Sequence, residues 1–148
     1  MQHDAMVTSL KSLKLFGMAQ AVAELAQQGA PAYQNAQVVL GDLLKAEMAE
    51  REVRSVAYQM KIARFPTYRD LAGFDFTQSP VNEALVRQLH RCEFLEQAYN
   101  IVLVGGPGTG KTHLATALGV QAIGHHRQRV RFFPTIELVN ALEQEQAT

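Results

Sequence analysis

The chain has 148 residues, room for one ordinary domain or for a small domain plus part of another. Apolar residues make up 47% and charged residues 19%, the balance of a globular chain with a core rather than of a disordered one. Its 14 basic and 14 acidic residues cancel, which excludes a global basic field, and the single cysteine, Cys92, excludes an internal disulfide.

The N-terminus has no charged segment followed by an apolar core, and no apolar run reaches membrane-spanning length. A soluble, cytoplasmic chain without a membrane partner is expected. Residues 4–99 read almost entirely as helix. Met6, Leu10 and Leu13, then Met18, Ala21, Val22 and Leu25, fall on a helical stripe, with Gly17 expected to break it. The run Gln27-Gln28-Gly29-Ala30-Pro31 is a stop followed by a turn. Asn35 is expected to cap a longer helix reaching about Ala63, its stripe formed by Leu40, Leu43, Leu44, Met48, Val56 and Met60.

That helix has a charged surface in which Glu47–Arg51 and Glu50–Arg54 pair in the favourable i, i+4 order. A solvated helix face accounts for most of it. The alternative is a surface for a partner or for nucleic acid. It rests on Lys61, Arg64 and Arg69, where few acids dilute the positive charge. Phe65-Pro66 ends the helix. The aromatic linker Leu71-Ala72-Gly73-Phe74-Asp75-Phe76 either pins the helical part to the C-terminal half of the chain or offers rings for bases to stack on. Ser79-Pro80 opens a helix over Val81 to about Tyr99, with Leu85, Leu89, Cys92 and Phe94 or Leu95 inward. Cys92 beside His90 reads as a small buried hydrophobe rather than a nucleophile or ligand.

Asn100-Ile101-Val102-Leu103-Val104 has the composition of a buried parallel strand. It runs into Gly105-Gly106-Pro107-Gly108-Thr109-Gly110-Lys111-Thr112, a full match to the phosphate-binding pattern G-x-x-x-x-G-K-[ST]. Glycines let several backbone N–H groups converge on one phosphate, while Pro107, which has no N–H, belongs on the outer bend. Lys111 has the reach to meet the β- and γ-phosphates, and the Thr112 hydroxyl is a ligand for Mg²⁺. The following helix, with Leu114, Ala117, Leu118 and Ala122 at helical spacing, adds the attraction of its N-terminus for an anion.

Gly124 is expected to end that helix. His125-His126-Arg127-Gln128-Arg129 then reads as a surface turn rather than a metal site, since no third ligand sits at suitable spacing. Val130-Arg131-Phe132-Phe133 reads as a second strand. A last helix begins near Pro134 or Thr135 and runs over Ile136 to about Gln146.

This order of parts resembles the IstB family, the ATP-binding helper proteins of bacterial insertion sequences, which are similar to DnaC-type helicase loaders and belong to the AAA+ ATPases. The resemblance is carried by Leu44, Glu47 and Arg51, by Ala63-Arg64-Phe65-Pro66, by Phe74-Asp75-Phe76, by Phe94-Leu95-Glu96 with Asn100, and by Gly105 to Ala115. It covers essentially the whole chain. It implies an all-α N-terminal segment, residues 1–76, for partner or DNA interaction. The first part of an α/β P-loop nucleotide-binding domain, residues 77–148, would follow. It further implies a site for ATP and Mg²⁺ at Gly105, Gly106, Pro107, Gly108, Thr109, Gly110, Lys111, Thr112 and His113. The implied partners are DNA, the transposase of the same element, and further copies of the chain on DNA. A helicase loader and a non-catalytic interaction module with a vestigial loop are the alternatives.

The chain departs from the family pattern downstream of the loop. Hydrolysis needs an apolar strand ending in Asp or Asp-Glu, and no aspartate follows Thr112. Glu137, Glu143 and Glu145 lie on the final helix, and Arg127, Arg129 and Arg131 are poorly placed for an arginine finger. Slow hydrolysis or none, an incomplete parallel sheet with exposed apolar edges, and a truncated gene product or fragment of a longer protein are therefore expected.

Overall fold

Met6 and Leu10, one helical turn apart, are fully buried and start the core of the N-terminal unit. The computed structural model describes residues 2–29 and 31–146. Contacts divide the chain into two compact units, residues 1–55 and 56–148. The first holds α1 (His3–Ser12), α2 (Phe16–Gln27) and the beginning of α3 (Pro31–Ala63). Its core joins Met6, Leu10 and Leu13 to Ala19 and Val22 and to Tyr33 and Leu44 of α3.

The break between the first two helices lies at Leu13–Leu15, and Gly17 is instead inside α2. Lys14, with φ of 62°, turns the chain, and its N–H bonds to the Lys11 carbonyl (2.9 Å) while that of Leu15 reaches Leu10 (2.9 Å). That pair of bonds closes a helix end with a left-handed residue, and here lysine stands where glycine is usual. Arg51 Nη1 donates to the carbonyl of Leu13 (3.3 Å), another acceptor at that helix end. On α2, Ala19 and Val22 face inward, whereas Met18 and Leu25 of the expected stripe are exposed. Helix α3 starts at Pro31, four residues before the expected cap at Asn35, because proline suits the first helical position. Of its leucines, Leu44 is buried and Leu43 exposed.

The second unit contains the end of α3, α4 (Glu83–His90), α5 (Lys111–His126) and α6 (Thr135–Gln146). Asn82 caps α4 by accepting the N–H of Leu85 (3.0 Å). This helix is shorter than the expected Val81–Tyr99 because Cys92 takes a left-handed conformation (φ 60°) and Ala98 another (φ 53°). Leu85 is consequently exposed, and Val86 takes the buried place. Helix α5 continues through Gly124, so His125 and His126 form its last turn rather than a loop, and Arg127 (φ 52°) ends it.

Neither expected strand forms. Among the described residues there is no strand, and the stretches 99–106 and 127–134 run without regular structure. A strand exists through the ladder it shares with a neighbour. Here the Phe132 N–H goes instead to the Ala63 carbonyl at the end of α3 (2.8 Å), and Val102 and Val104 are 81% and 91% exposed. No helix among the described residues is long and apolar enough to cross a membrane.

Candidate functional site

The Gly105–Thr112 segment lies between the irregular 99–104 stretch and α5. Gly108 (φ 71°) and Gly110 (φ 89°) occupy left-handed backbone, which curls the chain into a helix start that no side chain caps. The first helical hydrogen bond is Leu114 N–H to Gly110 carbonyl (2.9 Å), so the N–H groups of Lys111, Thr112 and His113 have no acceptor within the helix. Thr109 Oγ1 donates to the Gly106 carbonyl (2.8 Å) and braces the turn. The Lys111 ammonium folds back over the loop to the same carbonyl and lies 3.3 Å from Thr109 Oγ1. Pro107 and Thr112 are exposed. An uncapped helix start, two left-handed glycines and a cation over the loop match what a phosphate needs.

Beneath the loop, the linker is packed. Leu71 and Val86 share a core with Leu114 and Ala117 of α5, flanked by Phe74, Phe76, Val81 and Leu103. Of the two roles open to the linker aromatics, packing is the one visible here. His113 Nε2 lies 2.7 Å from the carbonyl of Asp70 and its ring meets Phe74 edge-on at 5.2 Å, so its side chain is engaged by the linker. Asp75 accepts from both the N–H and the hydroxyl of Thr77 (2.9 and 2.6 Å), and those bonds hold its carboxyl below the ordinary value.

Lys61 sits in the last turn of α3 and Arg64, in left-handed backbone, just after it. Arg131 joins them: its Nη1 donates to the Ile62 carbonyl (3.1 Å) and its guanidinium lies over Phe133 at 5.4 Å. The sequence alone does not bring Arg131 to this group, because 69 residues separate it from Ile62. Arg69 is exposed in the linker.

Cys92 is buried, its thiol pushed up by that burial and donating to the His90 carbonyl (3.6 Å), as an inert thiol would be. His90 is held below its ordinary 6.5, first by burial and then by the nearby charges of His125, Arg87 and His126. The unfolded chain therefore takes up a proton near 6.5 while the folded chain still refuses it. The His90 contribution to stability is complete above 6.5 and is lost as pH falls from there to the lowered folded value. Urea midpoints at pH 7.5 and 5.5 should show this drop, and His90→Gln should shrink it. An equal drop in both proteins refutes the assignment.

The model of the IstB-like ATP binding protein family matches residues 8–148. The chain belongs to the IstB-like family. It is 38% identical over 136 residues to the ATP-binding protein assigned to insertion sequence IS21 of Pseudomonas aeruginosa, covering 90% of this chain and 50% of that relative. A counterpart from insertion sequence IS5376 of Geobacillus stearothermophilus is 38% identical over 101 residues, 68% of this chain and 40% of the relative. One from an insertion sequence of Mycobacterium tuberculosis is 32% identical over 144 residues, 93% of this chain and 55% of the relative. The chain thus spans about half the length of the curated relatives it matches. Membership implies an AAA+ fold.

Proposed function

We propose that this chain is the ATP-binding part of a transposition helper, holding ATP and Mg²⁺ through residues 105–113. The observation that carries the reading is the uncapped start of α5 behind two left-handed glycines, with the Lys111 ammonium folded back to the Gly106 carbonyl. In this reading the N–H groups at the start of α5 would bind phosphate oxygens, Lys111 would neutralise the β- and γ-phosphates, and the Thr112 hydroxyl would hold Mg²⁺. ATP, when bound, supplies the phosphoanhydride whose cleavage would power any work. Glu137, Glu143 and Glu145 lie on a helix, α6, and not at the end of a strand, so this chain by itself is proposed to bind ATP well and turn it over slowly.

Equilibrium dialysis of ATP with magnesium tests the cradle. Lys111→Ala removes a charge-assisted contact and should weaken binding about 10- to 100-fold. Equal affinity in the two proteins would sink the assignment, and turnover at the rate of a complete AAA+ enzyme would sink the claim of slow hydrolysis.

The relatives are named for insertion sequences, which supports DNA, the transposase of the same element and further copies of the chain as cytoplasmic partners. Residues 1–76 would carry much of that contact. Lys61, Arg64 and Arg69 are the proposed phosphate contacts on DNA. Replacing all three by alanine should make the plot of log affinity against log salt shallower by about 2 to 3, roughly one charge per residue. An unchanged slope assigns DNA binding elsewhere.

A further inference from the structure

We infer that the side chains of Phe74 and His113 are positioning groups for the phosphate loop, clasping it from the linker side and fixing Gly110 and the first turn of α5 without those side chains binding phosphate. The inference rests on the proposed nucleotide binding and adds a role that the loop motif does not contain.

Hydrogen bonds and ring contacts together build the clasp. The Asp70 carboxylate accepts the N–H of Gly73 (2.9 Å), and the Phe74 N–H bonds to the Leu71 carbonyl (3.1 Å), which makes residues 70–74 a closed turn. Leu71, inside that turn, is buried in the core it shares with Leu114 and Ala117, so the turn is anchored to α5. The Asp70 carbonyl can only accept, so His113 Nε2 must carry the proton and donate to it (2.7 Å). Phe74 stands edge-on to both His113 (5.2 Å) and Phe76 (4.9 Å), and its ring is packed against Gly110, where an added Cβ would lie 2.6 Å from Cε2.

Residues 105–109, in contrast, are all exposed. What sets the direction of the N–H groups at the start of α5 is the placement of Gly110, and Phe74 is the side chain that abuts it. Phosphate donors must hold their geometry to within a fraction of an ångström to bind well. A rigid ring on a closed turn supplies that constraint, and His113 ties the same turn to the first turn of the helix.

The test uses the full chain, ATP dialysis and urea unfolding in parallel. His113→Ala should weaken ATP binding about 3- to 10-fold, the worth of one half-buried hydrogen bond and its neighbours. His113→Gln, whose amide can still donate to the Asp70 carbonyl, should recover most of that loss. Phe74→Ala should also weaken binding, yet it should relieve Gly110→Ala. The fold-loss from Gly110→Ala should be at least about 10 times smaller in the Phe74→Ala background, because the added methyl then has room. Additive losses, or a glutamine no better than alanine at position 113, would overturn the clasp. If Lys111→Ala binds ATP as the parent does, the nucleotide reading itself has failed. If Lys111→Ala loses ATP but the Phe74 and His113 variants do not, only the clasp has failed.

Discussion

Gly110→Ala is expected to reduce ATP binding by more than about 100-fold, to the floor of an equilibrium-dialysis assay. Two costs act at one atom. The residue sits at φ of 89°, where a side chain costs about 1–3 kcal/mol. The added Cβ would also fall 2.6 Å from Phe74 Cε2 and 3.2 Å from Cζ, and crowding of a packed site costs roughly another 1–3 kcal/mol. The chain escapes by moving either the ring or the loop, and moving the loop rotates the N–H donors at the start of α5. Gly108→Ala is the matched comparison. Its φ is 71°, but nothing lies within 4 Å of its added Cβ, so it carries the backbone cost alone. ATP affinity should therefore fall in the order parent, Gly108→Ala, Gly110→Ala. Equal losses at the two glycines would show that Phe74 exerts no pressure on the loop.

The loop and its helix are legible in the sequence because their demands are local. Gly105 to Thr112 names its own backbone, and the helix after it needs only its own i, i+4 bonds. The illegible parts depend on partners distant in sequence. Ile101-Val102-Leu103-Val104 has strand composition, but composition cannot supply the neighbour whose carbonyls a ladder requires. Helix ends fail for a related reason. Gly17 and Gly124 look like breaks, yet both lie inside helices, and the turns fall at Lys14 and Arg127, non-glycine residues in left-handed backbone. The Phe74–Gly110 and His113–Asp70 contacts span 36 and 43 positions of sequence. An aromatic linker is visible in the residues, and in the structure it is packed, but nothing in them says that the ring would meet the loop glycine.

The core of the first unit offers the largest expected effect on stability. Leu10 is 1% exposed, between Met6 on α1 and Leu13 just past its end, and shares a core with Ala19, Val22, Tyr33 and Leu44. Truncation to alanine removes three carbons from a site whose surrounding helices cannot fully collapse, at a cost of about 2–5 kcal/mol. A unit of this size commands only about 5 kcal/mol in total, so most of its stability goes. The backbone bond from Leu15 N–H to the Leu10 carbonyl survives the change, which confines the loss to packing. Leu43→Ala provides the contrast. Helical periodicity puts Leu43 and Leu44 on one apolar stripe, but Leu43 is 63% exposed while Leu44 is buried, so Leu43→Ala should cost no more than about 0.5 kcal/mol. Urea unfolding followed by far-ultraviolet circular dichroism separates the cases: Leu10→Ala should lose helical signal at much lower denaturant than the parent, and Leu43→Ala should overlay it. If the two variants unfold together, the helices of this unit are not packed around Leu10, and the placement of α1 and α2 against the start of α3 is wrong.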